Sequence, residues 1–325
     1  MKIKNRWSRI LRGLLFPLTS FAFISVLAGK STIQVVTTLP DLRDIAQRVG
    51  GDRVNVFAIA KGYQDPHFVD AKPSYIIKLS RADLFVQVGL DLEIGWVPSL
   101  LEGARNPAIL WGARGYVDAS RHIELLQVPT GDPAKLRAEG DIHIYGNPHY
   151  WLDPENGKLI ANNIYEALVR VSPDDAAYFF ANKERFSSEI DARLAKWEEV
   201  IKPYRGRKIV AFHNSWPYFE QRFGIDIAGF IEPKPGISPS PKHIQRTIKM
   251  MKDGNIHVII ISPYYSKKIP ERIASEVGGT VVGMAPSVEG IKGVNNYFDL
   301  FDYNLQKLVD AFLAYPEDRS EDISQ

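Results

Sequence analysis

Three histidines in the sequence stand at positions where α/β proteins bind ligands. His67 follows an Asp-Pro pair in a loop rich in glycine and proline, His149 also follows a proline, and His213 directly follows a predicted strand. In open α/β sheets, ligands bind beyond the carboxyl ends of the strands. A neutral imidazole donates its lone pair to Zn²⁺ and to similar divalent ions. The three positions therefore predict a metal site that assembles when the chain folds.

Spacing alone is a weak signal for this site, because 82 and 64 residues separate the successive members of the trio and no short His-Glu-x-x-His cluster is present. Taken singly, each of the three is more often a loop or capping residue than a metal ligand. His143 lies six residues before His149 and could assist metal capture. His257 lies in an apolar run and is expected in the core. His243 is expected at the start of a surface helix, and His122 carries little signal.

The elements that position these histidines form two successive α/β halves. Predicted strands cover Ile33–Thr37, Val54–Ile59, Asp83–Val88 and Ala108–Trp111, and then Lys208–Phe212, Ile225–Ile231, His257–Ile261 and Thr280–Met284. Predicted helices cover Asp41–Val49, Ser74–Ser80, Glu93–Ala104, Trp216–Phe223, Pro241–Asp253, Pro270–Val277 and Tyr297–Ala314. This alternation predicts an α/β fold with two lobes, each a mainly parallel sheet flanked by helices. Residues 112–147 are expected to form an elaborated loop.

The longest helical pattern lies between the two halves. Ser172 and Pro173 supply a cap and a proline at the first helical position, and two acids follow. Further along, apolar residues recur every three or four positions from Phe186 to Ile201, which places them on one face. A helix over about residues 173–202 would be roughly 45 Å long and would reach both halves. The predicted organisation is therefore a lobe at 29–171, a linking helix at 172–203 and a lobe at 204–325. The alternative is an ordinary packing helix within one domain.

Residues 1–28 predict a cleaved signal peptide. They contain five basic residues and no acid, followed by an apolar run from Leu14 to Leu27 and small or compact residues up to Ala28. An uncleaved membrane anchor is the alternative, but the run is shorter than the roughly 20 residues that span a bilayer. The sequence has no cysteine, so neither disulfides nor a lipid-modified N-terminal cysteine are available. We expect a monomer, free in the periplasm and not lipid-anchored.

The charge of the rest of the chain argues against nucleic-acid binding. The 325 residues include 40 basic and 38 acidic side chains, and without the five basic residues of the N-terminus 35 remain against 38. A mildly acidic body has no general basic surface for nucleic acid. Apolar residues make up 45% of the chain, which is enough to form the core of one large or two small domains.

Four ordered motifs carry a family resemblance. They are Asp65-Pro66-His67 with Pro73-Ser74, Ala82-Asp83, Gly89 and Glu93; Pro148-His149-Tyr150-Trp151-Leu152-Asp153-Pro154, preceded by Asn147; His213 with Tyr218-Phe219; and Tyr297 with Tyr303-Asn304. With these motifs, nearly the whole mature chain resembles the solute-binding components of bacterial zinc and manganese ABC transporters. The resemblance implies two α/β lobes joined by one long helix. It also implies a metal ion in the cleft, held by His67 and His149 from the first lobe and His213 from the second.

The sequence departs from this family at the fourth metal ligand. The family usually supplies an Asp after the last strand, where this chain has Ala285-Pro286-Ser287, and neither alanine nor proline can bind metal. Glu289, Glu232 and water are the alternatives. The His-rich acidic loop of zinc-specific members is absent too, since residues 112–147 hold only His122 and His143.

Two functions follow from these observations. The first is a periplasmic protein, not an enzyme, that captures Zn²⁺ or Mn²⁺ and delivers it to the permease of an ABC transporter. Three histidine ligands favour Zn²⁺ over the harder Mn²⁺. The alternative is a secreted zinc-dependent hydrolase with water at the open fourth position and Glu289 or Glu232 as general base. The chain has no nucleophile elbow and no zincin helix to support that chemistry. A metal-free binding or adhesion protein of the same fold is a third option.

Overall fold

The computed structural model describes residues 32–131, 143–234 and 236–316, and within them the strands form two parallel sheets. The first contains β1 (Ile33–Thr37), β2 (Val54–Ala58), β3 (Leu84–Gln87) and β4 (Tyr116–Asp118), in the order β2-β1-β3-β4. The second contains β5 (Lys208–Ala211), β6 (Asp226–Phe230), β7 (Val258–Ile261) and β8 (Thr280–Gly283), in the order β6-β5-β7-β8. In both sheets the strand order reverses between two central strands, β1 and β3 in the first sheet and β5 and β7 in the second. Such a reversal leaves a crevice at the carboxyl ends of these strands.

Helices flank both sheets. They are α1 (Pro40–Gly50), α2 (Pro73–Ser80), α3 (Val97–Ala104), α4 (Pro154–Val171), α5 (Ala176–Ile201), α6 (Pro217–Phe223), α7 (Pro241–Asp253), α8 (Lys268–Val277) and α9 (Tyr297–Ala314). Proline occupies the first or second helical position in α1 to α4, α6 and α7, where its missing N–H is not needed. The predicted α/β fold with two lobes is confirmed.

The long helix α5 joins the lobes, as predicted. It runs for 26 residues between short 3₁₀ turns at Pro173–Asp175 and Lys202–Tyr204. Its apolar face buries Phe186, Ile190 and Trp197. Ser172 does not cap the helix through its side chain, because its hydroxyl donates to the carboxylate of Asp175 at 2.6 Å. The predicted domain boundaries at residues 28, 171 and 203 stay predictions.

Three elements differ from the sequence-based expectation. The predicted strand Ala108–Trp111 is wrong, because the chain forms a 3₁₀ turn at Pro107–Ile109. The side chain of Asn106 accepts from the Ala108 N–H and so starts this turn. The strand that joins the sheet is β4, inside the stretch expected to be a loop. The helix α4 was not predicted, although Asp153 caps it by accepting from the Glu155 N–H at 2.9 Å.

One large apolar core extends through both lobes. It includes Val35 of β1, Phe85 of β3, Ile260 of β7 and Phe312 of α9. A smaller core lies between the second sheet and the helices α7 and α8. In the described part of the chain, no helix combines the length and apolar character that crossing a bilayer requires. The predicted signal peptide lies outside the described residues.

Candidate metal centre

The three predicted histidines converge on one point of the structure. His67 lies in the loop after β2, His149 precedes a 3₁₀ turn at Tyr150–Leu152, and His213 lies just after β5. One ring nitrogen from each lies within 4.8 Å of the others. The ring centroids form a nearly equilateral triangle with sides of 5.5, 5.6 and 5.7 Å. Three loops that are far apart in the sequence thus create a compact set of nitrogen donors.

In each ring of this triangle, Nδ1 lies against a side-chain oxygen. The pairs are His67 with Asp65 Oδ1 at 2.7 Å, His149 with Asn147 Oδ1 at 2.9 Å, and His213 with Glu232 Oε2 at 2.5 Å. Because an oxygen acceptor favours the tautomer that carries its proton on Nδ1, each ring keeps the lone pair on Nε2. Metal-binding histidines in proteins are usually oriented in this way.

The Nε2 atom of His149 is buried and has no hydrogen-bond partner in the described part of the chain. The whole residue is only 2% exposed. A buried acceptor without a partner is destabilising by about 1–3 kcal/mol. A cation bound between the three rings would use this lone pair, so the donor set fits a divalent metal ion.

His143 lies beside the triangle. Its Nε2 is 3.0 Å from Nε2 of His67, and its ring centroid is 6.4 Å from that of His149. Two nitrogens bound tetrahedrally to one Zn²⁺ lie about 3.3 Å apart, given bonds of about 2.0–2.1 Å. The separation of the two Nε2 atoms is close to this value, and His143 itself lies outside the group of three converging histidines.

The two glutamates considered as fourth ligands have other partners. Glu232 holds His213 with one oxygen and accepts from the Gly236 N–H with the other at 2.9 Å. Glu289 forms a two-point ion pair with Arg43, at 2.9 and 3.3 Å. Among the described residues, neither belongs to the group of converging donor atoms.

The segment that replaces the usual Asp is tied to the first lobe. The Pro286 carbonyl accepts from Trp151 Nε1 at 2.9 Å. The Ser287 hydroxyl and the Val288 N–H both donate to the buried carboxylate of Asp41. These bonds hold the loop after β8 close to the strand ends without supplying a metal ligand.

Burial keeps two of the rings neutral. It lowers the pKa of His149 well below its usual value, and the charges of His67 and His213 lower it further. The same causes lower the pKa of His143 to about 3. Burial alone would raise the pKa of Asp65, but the hydrogen bond and charge of His67 lower it instead. The site therefore combines neutral nitrogen donors with a carboxylate that stays ionised and can balance a cation's charge.

The remaining histidines lie elsewhere. His243 is bonded through Nε2 to the Phe230 carbonyl at 3.0 Å. His257 precedes β7, stacks on Tyr315 and is only partly buried, so it is not the core residue that the sequence indicated. His122 occupies an exposed turn.

The residues that orient the rings were missed in the sequence. Asp65 and Asn147 each lie two positions before a histidine in the pattern Asx-Pro-His, and each Oδ1 also accepts from that histidine's backbone N–H at 3.0 Å. This repeated local turn was a readable signal. Glu232 follows the strand β6 and gave no comparable local signal, because its partner is 19 residues away.

Residues 35–311 match the model of a protein family described as zinc-uptake complex component A, periplasmic (ZnuA). The chain belongs to this family. The match covers most of the sequence and confirms the resemblance stated above.

Individual ZnuA-like proteins show the same breadth of similarity. The manganese-binding lipoprotein MntA of Halalkalibacterium halodurans is 25% identical over 285 residues, covering 85% of this chain and 87% of that protein. The metal ABC transporter substrate-binding lipoprotein FimA of Streptococcus parasanguinis is 22% identical over 307 residues, covering 92% and 95%.

Solved structures agree with this assignment. A crystal structure of ZnuA superposes with a TM-score of 0.73 at 25% identity, covering 86% of this chain and 99% of that one. A periplasmic metal-binding protein from Candidatus Liberibacter asiaticus has a TM-score of 0.70 at 22% identity, with coverage of 86% and 99%, and shows the shared fold. These named relatives are metal-binding proteins or substrate-binding components of transporters, and none supports the hydrolase alternative.

Proposed function

We propose that this ZnuA-family protein captures Zn²⁺ in the cleft between its lobes and delivers it to the permease of an ABC transporter. His67, His149 and His213 are the primary ligands, and His143 is the fourth. The observation that carries the proposal is the triangle of rings whose Nδ1 atoms are all bonded to oxygen, with one nitrogen of each ring within 4.8 Å of the others.

The donor chemistry favours Zn²⁺ over Mn²⁺. Imidazole nitrogen suits Zn²⁺, whereas carboxylate and carbonyl oxygens suit Mn²⁺. The converging group contains histidines only, and the nearby Glu232 is bonded to His213 instead. Relatives named for manganese share the fold and about a quarter of their residues or fewer, which leaves room for a different ion.

Charge balance supports a divalent cation in this place. Four neutral imidazoles leave the ion's double charge uncompensated. Asp65 and Glu232 lie directly behind His67 and His213, so their carboxylates provide the counter-charge through the rings. No reaction step is needed for this function, because capture and release change only the ligands around the ion.

Family membership supports the proposed delivery partner and location. The family description is of a periplasmic component of zinc uptake, which supports a periplasmic protein that docks on a membrane permease. Several relatives are named lipoproteins, whereas this sequence has no cysteine to carry a lipid. A free, monomeric form is therefore our prediction for this chain.

Calorimetric titration of the metal-free protein with Zn²⁺ and with Mn²⁺ tests the proposal. We expect one Zn²⁺ per chain, bound more tightly than Mn²⁺, and a severe loss of affinity in H67A, H149A and H213A. His243→Ala is the matched control, because its ring is bonded to the Phe230 carbonyl away from the triangle. Zn²⁺ affinity that is unchanged in all three site variants would contradict the proposal.

A further inference from the structure

A groove of about 680 Å³ lies at the outer edge of the first sheet. Its walls are the turn from Trp111 to Arg114, the strand β4, and side chains from α4. In the described part of the chain, β4 is the last strand of its sheet and pairs only with β3. None of the four clustered histidines lines the groove, so it is a separate feature from the metal centre.

Three arginines line this groove: Arg114, Arg121 and Arg170. Arg170 donates to the Arg114 carbonyl at 3.3 Å, so the guanidinium of one lies against the backbone of another. Burial lowers the pKa of Arg170, and the charges of Arg121 and Arg114 lower it further while Glu166 raises it. The three cations are therefore close enough to repel one another.

Few acids offset these cations. Asp118 lines the groove, but its Oδ1 accepts from both the N–H and the hydroxyl of Ser120. Glu166 lies 3.7 Å from Arg121, and both of their side chains are substantially exposed, so this pair is weak. Asp118 keeps its charge in these bonds, so three arginines against two acids leave the groove a small excess of positive charge, in a protein whose body is mildly acidic overall.

A buried acceptor in the wall of the groove lacks a donor. Asn163 is only 2% exposed, and its amide nitrogen donates to the carbonyls of Ala119 and Arg121 at 3.2 and 2.9 Å. Those two bonds fix the orientation of the amide. Its Oδ1 has no hydrogen-bond partner in the described part of the chain. Buried acceptors are nearly always satisfied, so this atom points to a ligand that brings an N–H or O–H donor.

Trp111 stands at the rim of the same groove and is 84% exposed. Tryptophan and arginine are the residues most enriched at the energetic centres of protein interfaces. An exposed indole next to arginines is therefore typical of a docking surface for another polypeptide.

We propose that this groove binds an acidic, extended segment of a partner protein. Carboxylates of the segment pair with Arg114 and Arg121, a backbone N–H donates to Asn163 Oδ1, and an apolar part packs on Trp111. An extended peptide supplies carboxylates and N–H donors together. The metal centre is not involved in this contact.

Binding of fluorescein-labelled hexaglutamate to the full mature protein, measured by anisotropy, tests the proposal, with hexaglutamine as the uncharged control. We expect saturable binding of hexaglutamate that weakens between about 50 and 300 mM salt, as screened charges require. The double variant R114A/R121A should weaken binding by about tenfold or more, because two charge-assisted contacts are lost. Both side chains are exposed, so this variant should fold.

The variant R246A/R272A removes the same charge from exposed positions on α7 and α8 and should bind hexaglutamate normally. Three outcomes would overturn the proposal: equal binding of hexaglutamine, unchanged binding in R114A/R121A, or binding to phosphatidylglycerol vesicles without binding to hexaglutamate. Zn²⁺ titration of the same variants separates this result from the proposed metal function.

Discussion

The Nε2 atoms of His67 and His143 lie 3.0 Å apart. At most one of these nitrogens can carry the shared proton, and a metal ion bound by both would replace it. The two rings come from loops 76 residues apart in the sequence, and both loops belong to the predicted first lobe. This contact is the basis for proposing His143 as the fourth ligand, in place of the carboxylate that the loop after β8 lacks.

Removing His143 should weaken zinc binding without abolishing it. We expect H143A to lower Zn²⁺ affinity by roughly 100-fold, because one of four donors is lost and even changes behind the ligands typically cost about 10–100-fold. Competition with a chelator of known affinity measures the change. His122→Ala is the control, since His122 lies in an exposed turn. Equal affinities for H143A and the wild type would exclude His143 as a ligand.

The Glu232 carboxylate, which is bonded to Nδ1 of His213, should strengthen Zn²⁺ binding. Glu232→Gln keeps an oxygen that can accept from Nδ1 but removes the negative charge, so we expect Zn²⁺ affinity to fall by about 10–100-fold. Glu289→Gln is the matched control, because Glu289 pairs with Arg43 and not with a histidine. If both substitutions lower Zn²⁺ affinity equally, Glu232 acts only through the negative charge it adds near the site and not through its bond to His213.

The metal-free protein should lose stability on acidification through its buried histidines. Burial lowers the pKa of His143 to about 3 and that of His149 further below its usual value, so the unfolded chain binds their protons first. This contribution to the free energy of unfolding is complete above pH 6.5. It falls by up to about 1.4 kcal/mol per pH unit for each ring below that value.

Urea unfolding of the metal-free protein between pH 7.5 and 5 measures this effect, with H143Q as the comparison. Burial raises the pKa of Asp41 and of Glu93 to about 7, so their contributions are present at low pH and are lost as pH rises through 7. The difference between the wild type and H143Q removes these opposing contributions. We expect H143Q to gain stability relative to the wild type as pH falls, and a difference independent of pH would contradict the prediction.

The ion pair between Asp153 and Arg222 should stabilise the contact between the lobes. Arg222 of α6 donates twice to Asp153, at 2.7 and 2.9 Å, and Asp153 is buried. Arg222→Ala leaves that carboxylate without its partner, so we expect a loss of about 2–3 kcal/mol in the free energy of unfolding. Arg272→Ala breaks an exposed pair on α8 and should change stability by less than about 0.5 kcal/mol. Urea unfolding at constant pH compares the two.

Most of the regular elements could be predicted from local patterns. The strand β1 and the helices α7 and α9 have the bounds that the sequence indicated, because β-branched runs and proline or asparagine at a helix start act over a few residues. The strand β4 was missed since three residues are too short to show alternation. The apolar run at Ala108–Trp111 was wrongly predicted as a strand. Its composition is typical of a strand, but the Asn106 side chain starts a turn there.

Part of the candidate site could likewise be predicted from local patterns, and part could not. Residue types and positions after strands singled out His67, His149 and His213, and the Asx-Pro-His turn that orients two of them is also local. Their convergence depends on packing between elements separated by 82 and 64 residues, which no local pattern encodes. The partners of Glu232 and Glu289, and the approach of His143 to His67, come from the same long-range packing. Short-range turns and caps depend on neighbouring residues, so the sequence determines them directly. A metal site shared by several loops forms only when loops from both lobes meet, and burial of the common core brings them together.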